Sequence, residues 1–207
     1  MATIVTLVVL GLLLGSVLMQ LFKKQPAPST PAADLAHLKV TDARAGDALS
    51  ISGAGDNYSD LDFTADRLTR FDAGQRRWFE VSGPYLDRRV AVRVGGDDDV
   101  EVYVHSDGRK LTTEDIGLSE EDLAEMDERQ NTADTFEFDN KTWIYTLSRE
   151  AQASRSDQAV PASFYYWEFR QQAGTGMIAV RKAEGEPFGV TLYTGIHPAD
   201  VTIYRSR

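Results

Sequence analysis

The sequence predicts a mainly β protein: an N-terminal transmembrane helix, then two related antiparallel β modules, sandwich- or barrel-like, joined by a short helix. Three observations carry this. Ile4 to Phe22 is an uncharged, predominantly apolar run ending at Lys23-Lys24, the rest of the chain alternates apolar and polar residues in short stretches, and that alternation repeats after 88 positions. The predicted parts are an anchor over 1–24, a Pro-rich linker over 25–36, a first module over 37–118, a connecting helix over 119–131 and a second module over 132–207.

At about 1.5 Å per helical residue the apolar run reaches ~28 Å, close to the ~30 Å hydrocarbon core of a bilayer. No Lys or Arg precedes it and two lysines follow, so the positive-inside bias places the body in the cytoplasm. The competing reading is a cleaved secretory signal. That needs a basic n-region and a shorter apolar core, and only Pro31-Ala32-Ala33 offers a small-residue cleavage site. Gly11 and Gly15 have the small-xxx-small spacing that lets two spanning helices approach, which gives a homodimer contact to set against their ordinary frequency in such helices.

Gln25 to Ala33 contains three of the chain's seven prolines and reads as an extended spacer lifting the body off the membrane. The chain has 22 basic and 32 acidic residues, a formal net charge of −10, and the part beyond the two lysines is more acidic still. An anionic leaflet repels such a body, as does nucleic acid, and no basic stripe offsets this. There is no Cys, hence no disulfide, thiolate metal site or lipid-attached cysteine. Scarce Lys with abundant Arg, Asp and Ala is the composition of a GC-rich bacterial genome.

In the repeat, Trp78-Phe79-Glu80-Val81 lies over Tyr166-Trp167-Glu168-Phe169 and Ala91-Val92-Arg93 over Ala179-Val180-Arg181. Further on, Val100-Glu101-Val102 meets Phe188-Gly189-Val190, and after a small deletion Glu114-Asp115-Ile116 meets Ala199-Asp200-Val201. The apolar pattern persists although identity is weak, which reads as two modules of about 80 residues, with chance alignment of alternating strands as the other explanation.

Val90, Val92 and Val94, then Val100, Val102 and Val104, alternate with polar or small residues on either side of the Gly95 to Asp99 turn, a hairpin pattern. Met177 to Arg181 and Phe188 to Tyr193 repeat it across 183–187. Phe136 to Tyr145 reads as a tight hairpin and Phe164 to Phe169 as an aromatic strand. Ser119-Glu120-Glu121-Asp122 is a cap and first turn for a helix reaching about Gln130. Two small sheets facing each other bury aromatic side chains that neither covers alone.

A resemblance rests on Gly46-Asp47, Trp143-Ile144-Tyr145 with Arg149-Glu150, Phe164 to Phe169, Gly189-Val190, Gly195, and Pro198 to Ile203. These resemble the bacterial family called domain of unknown function 4178, over most of residues 40–205. The resemblance implies a β-rich fold, no assigned activity or catalytic residues, and a setting beside membrane-stress proteins of the phage-shock type and aminopropyltransferases.

His105-Ser106-Asp107-Gly108 brings three triad residue types together, but neighbours on a strand face opposite ways, so a turn is expected. Gly95 to Asp99 lacks the alternating ligands of a calcium loop. His37, His105 and His197 show no paired ligand spacing, and Gly174-Thr175-Gly176 lacks the Lys and helix of a phosphate cradle. No cofactor or metal is expected.

The binding candidates are Trp78, Trp143, Tyr166, Trp167, Glu80 and Glu168. One reading puts the aromatic set, with Phe79, Tyr145 and Tyr165, in the core; the other makes it a groove between modules. Tyr165, Tyr166 and Trp167 are consecutive, so they cannot share a face, and Tyr166 is expected to be the exposed one. Glu80 and Glu168 occupy equivalent places, either as acid and base across a cleft or on solvent faces. The expectation for function is a non-enzymatic, membrane-tethered interaction or sensing module with a partner of the membrane-stress type. The alternative is a carboxylate-dependent hydrolase or ligand-binding enzyme working between the modules.

Overall fold

The structure is a computed structural model that describes residues 38–96, 99–155 and 157–205. The anchor, the spacer and the Gly11/Gly15 face lie outside the described residues. Among the described residues twelve strands form two sheets: β1 (Ala48–Ile51), β2 (Leu61–Thr64), β3 (Arg67–Ala73), β4 (Arg76–Tyr85), β5 (Arg88–Gly95), β6 (Glu101–His105), β7 (Thr135–Phe138), β8 (Lys141–Arg155), β9 (Ala162–Gln171), β10 (Gly176–Lys182), β11 (Gly189–Ile196) and β12 (Val201–Tyr204). One α-helix, α1 (Glu120–Arg129), lies between β6 and β7 among the described residues.

The larger sheet runs β3-β4-β5-β6-β11-β10-β9-β8, and β3 pairs back onto β8, closing an antiparallel barrel of eight strands. β7 extends the sheet beyond β8. Two runs of four sequential neighbours, β3 to β6 and β8 to β11, therefore meet at two seams, Tyr103 opposite Gly195 at one and Phe71 opposite Ala153 at the other. Closure satisfies the backbone donors and acceptors that open sheet edges leave free. It also means that strands from the predicted 37–118 and 132–207 stretches share one wall rather than forming two facing sheets.

Turn chemistry explains the hairpins. Asp139 and Asn140 both adopt positive φ between β7 and β8, the conformation of a two-residue turn that suits the right-handed twist of the strands, and Asx side chains tolerate it. A register shift between Tyr145 and Leu147 puts a bulge in β8, so Tyr145 faces outward while Leu147 faces the lumen.

Both barrel surfaces are covered, and by different chemistry. Outside one half, Val81, Val90, Val92, Val94, Val102 and Val104 pack under the small sheet β12-β1-β2, whose Leu49, Ile51, Leu61, Phe63, Val201 and Ile203 meet them. The C-terminal strand β12 thus pairs with β1. Outside the other half, Trp143, Tyr145, Trp167, Phe169, Ile178 and Val180 pack under Leu123 and Met126 of α1 and under Ile116 and Leu118. The helix begins as expected: the Ser119 hydroxyl accepts from the Asp122 N–H, and the Asp122 carboxylate accepts from the Ser119 N–H. Trp167 Nε1 donates to the Leu123 carbonyl at 3.0 Å, and Tyr165 and Ser148 both donate to Asp127, which ties the helix to the wall.

Candidate functional site

The barrel lumen is the candidate site. Glu80 lies on β4 and Arg93 on β5, whereas Glu168 lies on β9 and Arg181 on β10, all on the inward parity of their strands. In the ring of eight, β4 and β10 are diametrically opposed, as are β5 and β9. Two ion pairs therefore span the lumen: Arg181 Nη2 to Glu80 Oε1 at 2.6 Å, and Arg93 Nη2 to Glu168 Oε2 at 2.8 Å. Each joins an acid of one four-strand run to a base of the other.

Glu168 is the more enclosed acid, with no exposed surface. Besides Arg93 it accepts from Arg76 Nη1 at 2.5 Å, Arg170 Nε at 2.9 Å and the Tyr166 hydroxyl at 2.7 Å. Arg170 reaches on to Glu101 at 3.0 Å. Arg93 stacks over the Trp78 ring at 4.2 Å and donates to the Tyr166 oxygen at 2.6 Å. Burial works to lower the Arg93 pKa, but the Tyr166 oxygen and the Glu168 carboxylate more than offset this, and it stays a cation.

Around Glu80, the Tyr193 hydroxyl donates at 2.9 Å and Trp78 Nε1 at 3.4 Å. Burial pushes the Glu80 carboxyl up, yet the charges of Arg181 and Arg93 and the hydrogen bonds from Arg181 and Tyr193 hold it below the usual carboxylate range. Burial raises Tyr193, with the Glu80 charge acting in the same direction, so it remains a neutral donor. Tyr166 is pushed well up, first by burial. An acid–base carboxylate pair needs one member held protonated near neutrality. Glu80 is held in the opposite sense.

Of the six sequence candidates, the lumen brings together Trp78, Glu80, Tyr166 and Glu168. Trp143 and Trp167 are on the outer surface beneath α1. The set is not one groove, because the strand pleat sends adjacent rings to opposite faces. The expectation that Tyr166 is exposed is corrected: its ring is fully buried in the lumen, and both faces of β9 are covered at this point. Nor do the glutamates occupy solvent faces. The residues that sequence reasoning missed are the arginines Arg76, Arg170 and Arg181 with Arg93, together with Tyr193. Arg93 and Arg181 had aligned in the repeat, but only as pattern.

The other constellations resolve as local structure. Asp107 accepts from the backbone and side chain of Arg109 in the segment after β6, and His105 Nδ1 donates to the Leu192 carbonyl at 2.9 Å. Gly174 and Thr175 belong to the β9–β10 turn. Among the described residues no group of His, Asp and Glu is arranged to hold a metal, and no helix is long and apolar enough to cross a membrane.

The barrel has two mouths. At the end holding the β3–β4 turn, a cavity of about 240 Å³ is lined by Arg76, Arg93, Glu101 and Tyr103. At the other end, where β4 turns into β5, a cavity of about 430 Å³ opens among Arg67, Arg155, Arg181, His105 and Tyr193. The chain matches no family model, no curated protein and no solved structure.

Proposed function

We propose that this chain is a non-enzymatic interaction or sensing module, a closed barrel tethered to the inner face of a bacterial membrane by residues 1–24 and held off it by the 25–36 spacer. The observation that supports a non-catalytic role is the lumen itself, in which Glu80 and Glu168 are both neutralised by arginines. A hydrolase built on these two acids would need one of them free to exchange protons, so the geometry favours binding over turnover. Tethering rests on the apolar run and its lysines, and the link to membrane stress rests on the family resemblance alone.

The test uses the full chain in cells. Fractionation should place it with membranes, and a C-terminal reporter should respond only on the cytoplasmic side. In-cell crosslinking should recover a stoichiometric partner that is lost when 37–207 are replaced by an unrelated folded domain behind the same 1–36. A wholly soluble product, or a tail accessible from outside intact cells, overturns the tethering. A Glu80→Gln, Glu168→Gln pair that abolishes a hydrolytic activity of the folded protein overturns the non-enzymatic reading.

A further inference from the structure

The 430 Å³ mouth gathers positive charge on a chain whose formal charge is −10. Four guanidiniums line it, those of Arg67, Arg89, Arg155 and Arg181, and the carboxylate facing them is Glu80. Arg181 is committed to Glu80 through Nη2, while its Nε is buried and takes no partner among the described residues. Arg89 and Arg155 are attended by Asp66 and Asp157, which sit on the rim at 49% and 60% exposure. Both are two-point forks, which leave Arg89 Nε and Arg155 Nη1 outside the pair, and because the acids lie open to water a ligand anion competes with them. Arg67 makes no ion pair among the described residues.

The rest of the lining divides by chemistry. Thr69, Ser82, Thr191 and Tyr193 present hydroxyls, whereas Phe71, Ala91, Ala153 and Ala162 present an apolar wall. An eight-stranded barrel is either filled by its own side chains or holds one small ligand; here the middle is filled, and the cavity of about 430 Å³ at this mouth suits a molecule of modest size. Guanidinium forks match the paired oxygens of a carboxylate or phosphate.

We infer that this mouth binds a small organic anion, with a carboxylate or phosphate-monoester head held by Arg67 and Arg155 and an apolar body against Phe71. The inference names a ligand class for the binding module proposed above and rests on that reading.

Isothermal titration calorimetry on the purified full chain in detergent, at fixed ionic strength, tests it with phenyl phosphate, benzoate and inorganic phosphate. Saturable binding of phenyl phosphate or benzoate is expected, with whichever binds tighter identifying the head group, and inorganic phosphate at least tenfold weaker. Arg67→Met and Arg155→Met should each weaken the tighter ligand at least tenfold without moving the unfolding midpoint, while Arg129→Met on α1 leaves affinity unchanged. No binding by any of the three probes, or equal binding to the Arg67→Met variant, overturns the site. Equal affinity for inorganic phosphate and phenyl phosphate overturns the apolar half. Membrane fractionation and crosslinking read the broader proposal independently, so the two failures are distinguishable.

Discussion

Replacing Glu168 with Gln tests whether the lumen is organised around one buried charge. The side chain is fully enclosed and takes four donors, from Arg76, Arg93, Arg170 and Tyr166. Gln keeps the shape and removes the charge, leaving Arg93, only 5% exposed, facing no full carboxylate on β9. Arg76 and Arg170 are 32% and 24% exposed and can turn towards water, so most of the penalty falls on Arg93. Stripping one member from a buried pair costs about 3–5 kcal/mol. Against a total stability of about 5–15 kcal/mol that is a large fraction. Urea unfolding of the full chain, followed by tryptophan fluorescence, measures it, and Trp78 stacked beneath Arg93 reports locally. The double variant Arg93→Met, Glu168→Gln should be more stable than the sum of its singles predicts, by about 1–3 kcal/mol, because the stranded charge has gone. A loss under about 1 kcal/mol in Glu168→Gln, or strict additivity in the double variant, refutes the reasoning.

Glu80 and Asp47, the latter bridged to Arg205 through both oxygens, are each held below their ordinary values of 4.5 and 3.8. Their stabilisation is therefore complete above those values and lost as pH falls through the lowered ones, so unfolding midpoints should be level from neutrality to about pH 5 and fall below it. Glu80→Gln should flatten that acid limb. Burial and the Asp127 hydrogen bond push Tyr165 up to about 12, so alkaline titration should ionise it only with loss of helix docking; a tyrosinate signal at its ordinary value of 10.0 that disappears in Tyr165→Phe would contradict this. Leu123→Ala, at the centre of the α1 contact, should cost about 2–5 kcal/mol and speed amide exchange in α1 before the barrel. A Cβ on Gly83 would approach the Thr64 carbonyl oxygen to 2.1 Å, so Gly83→Ala should cost about 1–3 kcal/mol by prising the small sheet from β4.

The strand pairs on both sides of the Gly95 to Asp99 turn, the Phe136–Tyr145 hairpin and the capped helix were legible because each has its own local signal: period-two alternation, a Gly/Asp or Asp-Asn turn, a capping box. The closure of the barrel was not. It depends on the β3–β8 and β6–β11 seams, joining segments far apart in the chain, and nothing local marks such a pairing. The site failed to show for a related reason. Val90, Val92 and Val94 look like the buried face of a half-exposed strand, which relegates Arg93 to solvent, yet here the valines face the small sheet and Arg93 faces an enclosed lumen. Alternation tells which residues share a side, not how many sides are covered. The aligned Glu80/Glu168 and Arg93/Arg181 were the available hint, since charged residues preserved at one parity in both halves have to find each other.

The crossed ion pairs bear on how the ring assembles. Each half holds one acid and one base whose ion-pair partners lie across the lumen, so either half alone would keep only its own attendants: Arg93 opposite Glu80 in one, and Arg170 with the Tyr166 hydroxyl on Glu168 in the other. The two cross-lumen bridges are therefore made only when the circle shuts, which couples the two seams to each other through side chains as well as through backbone pairing.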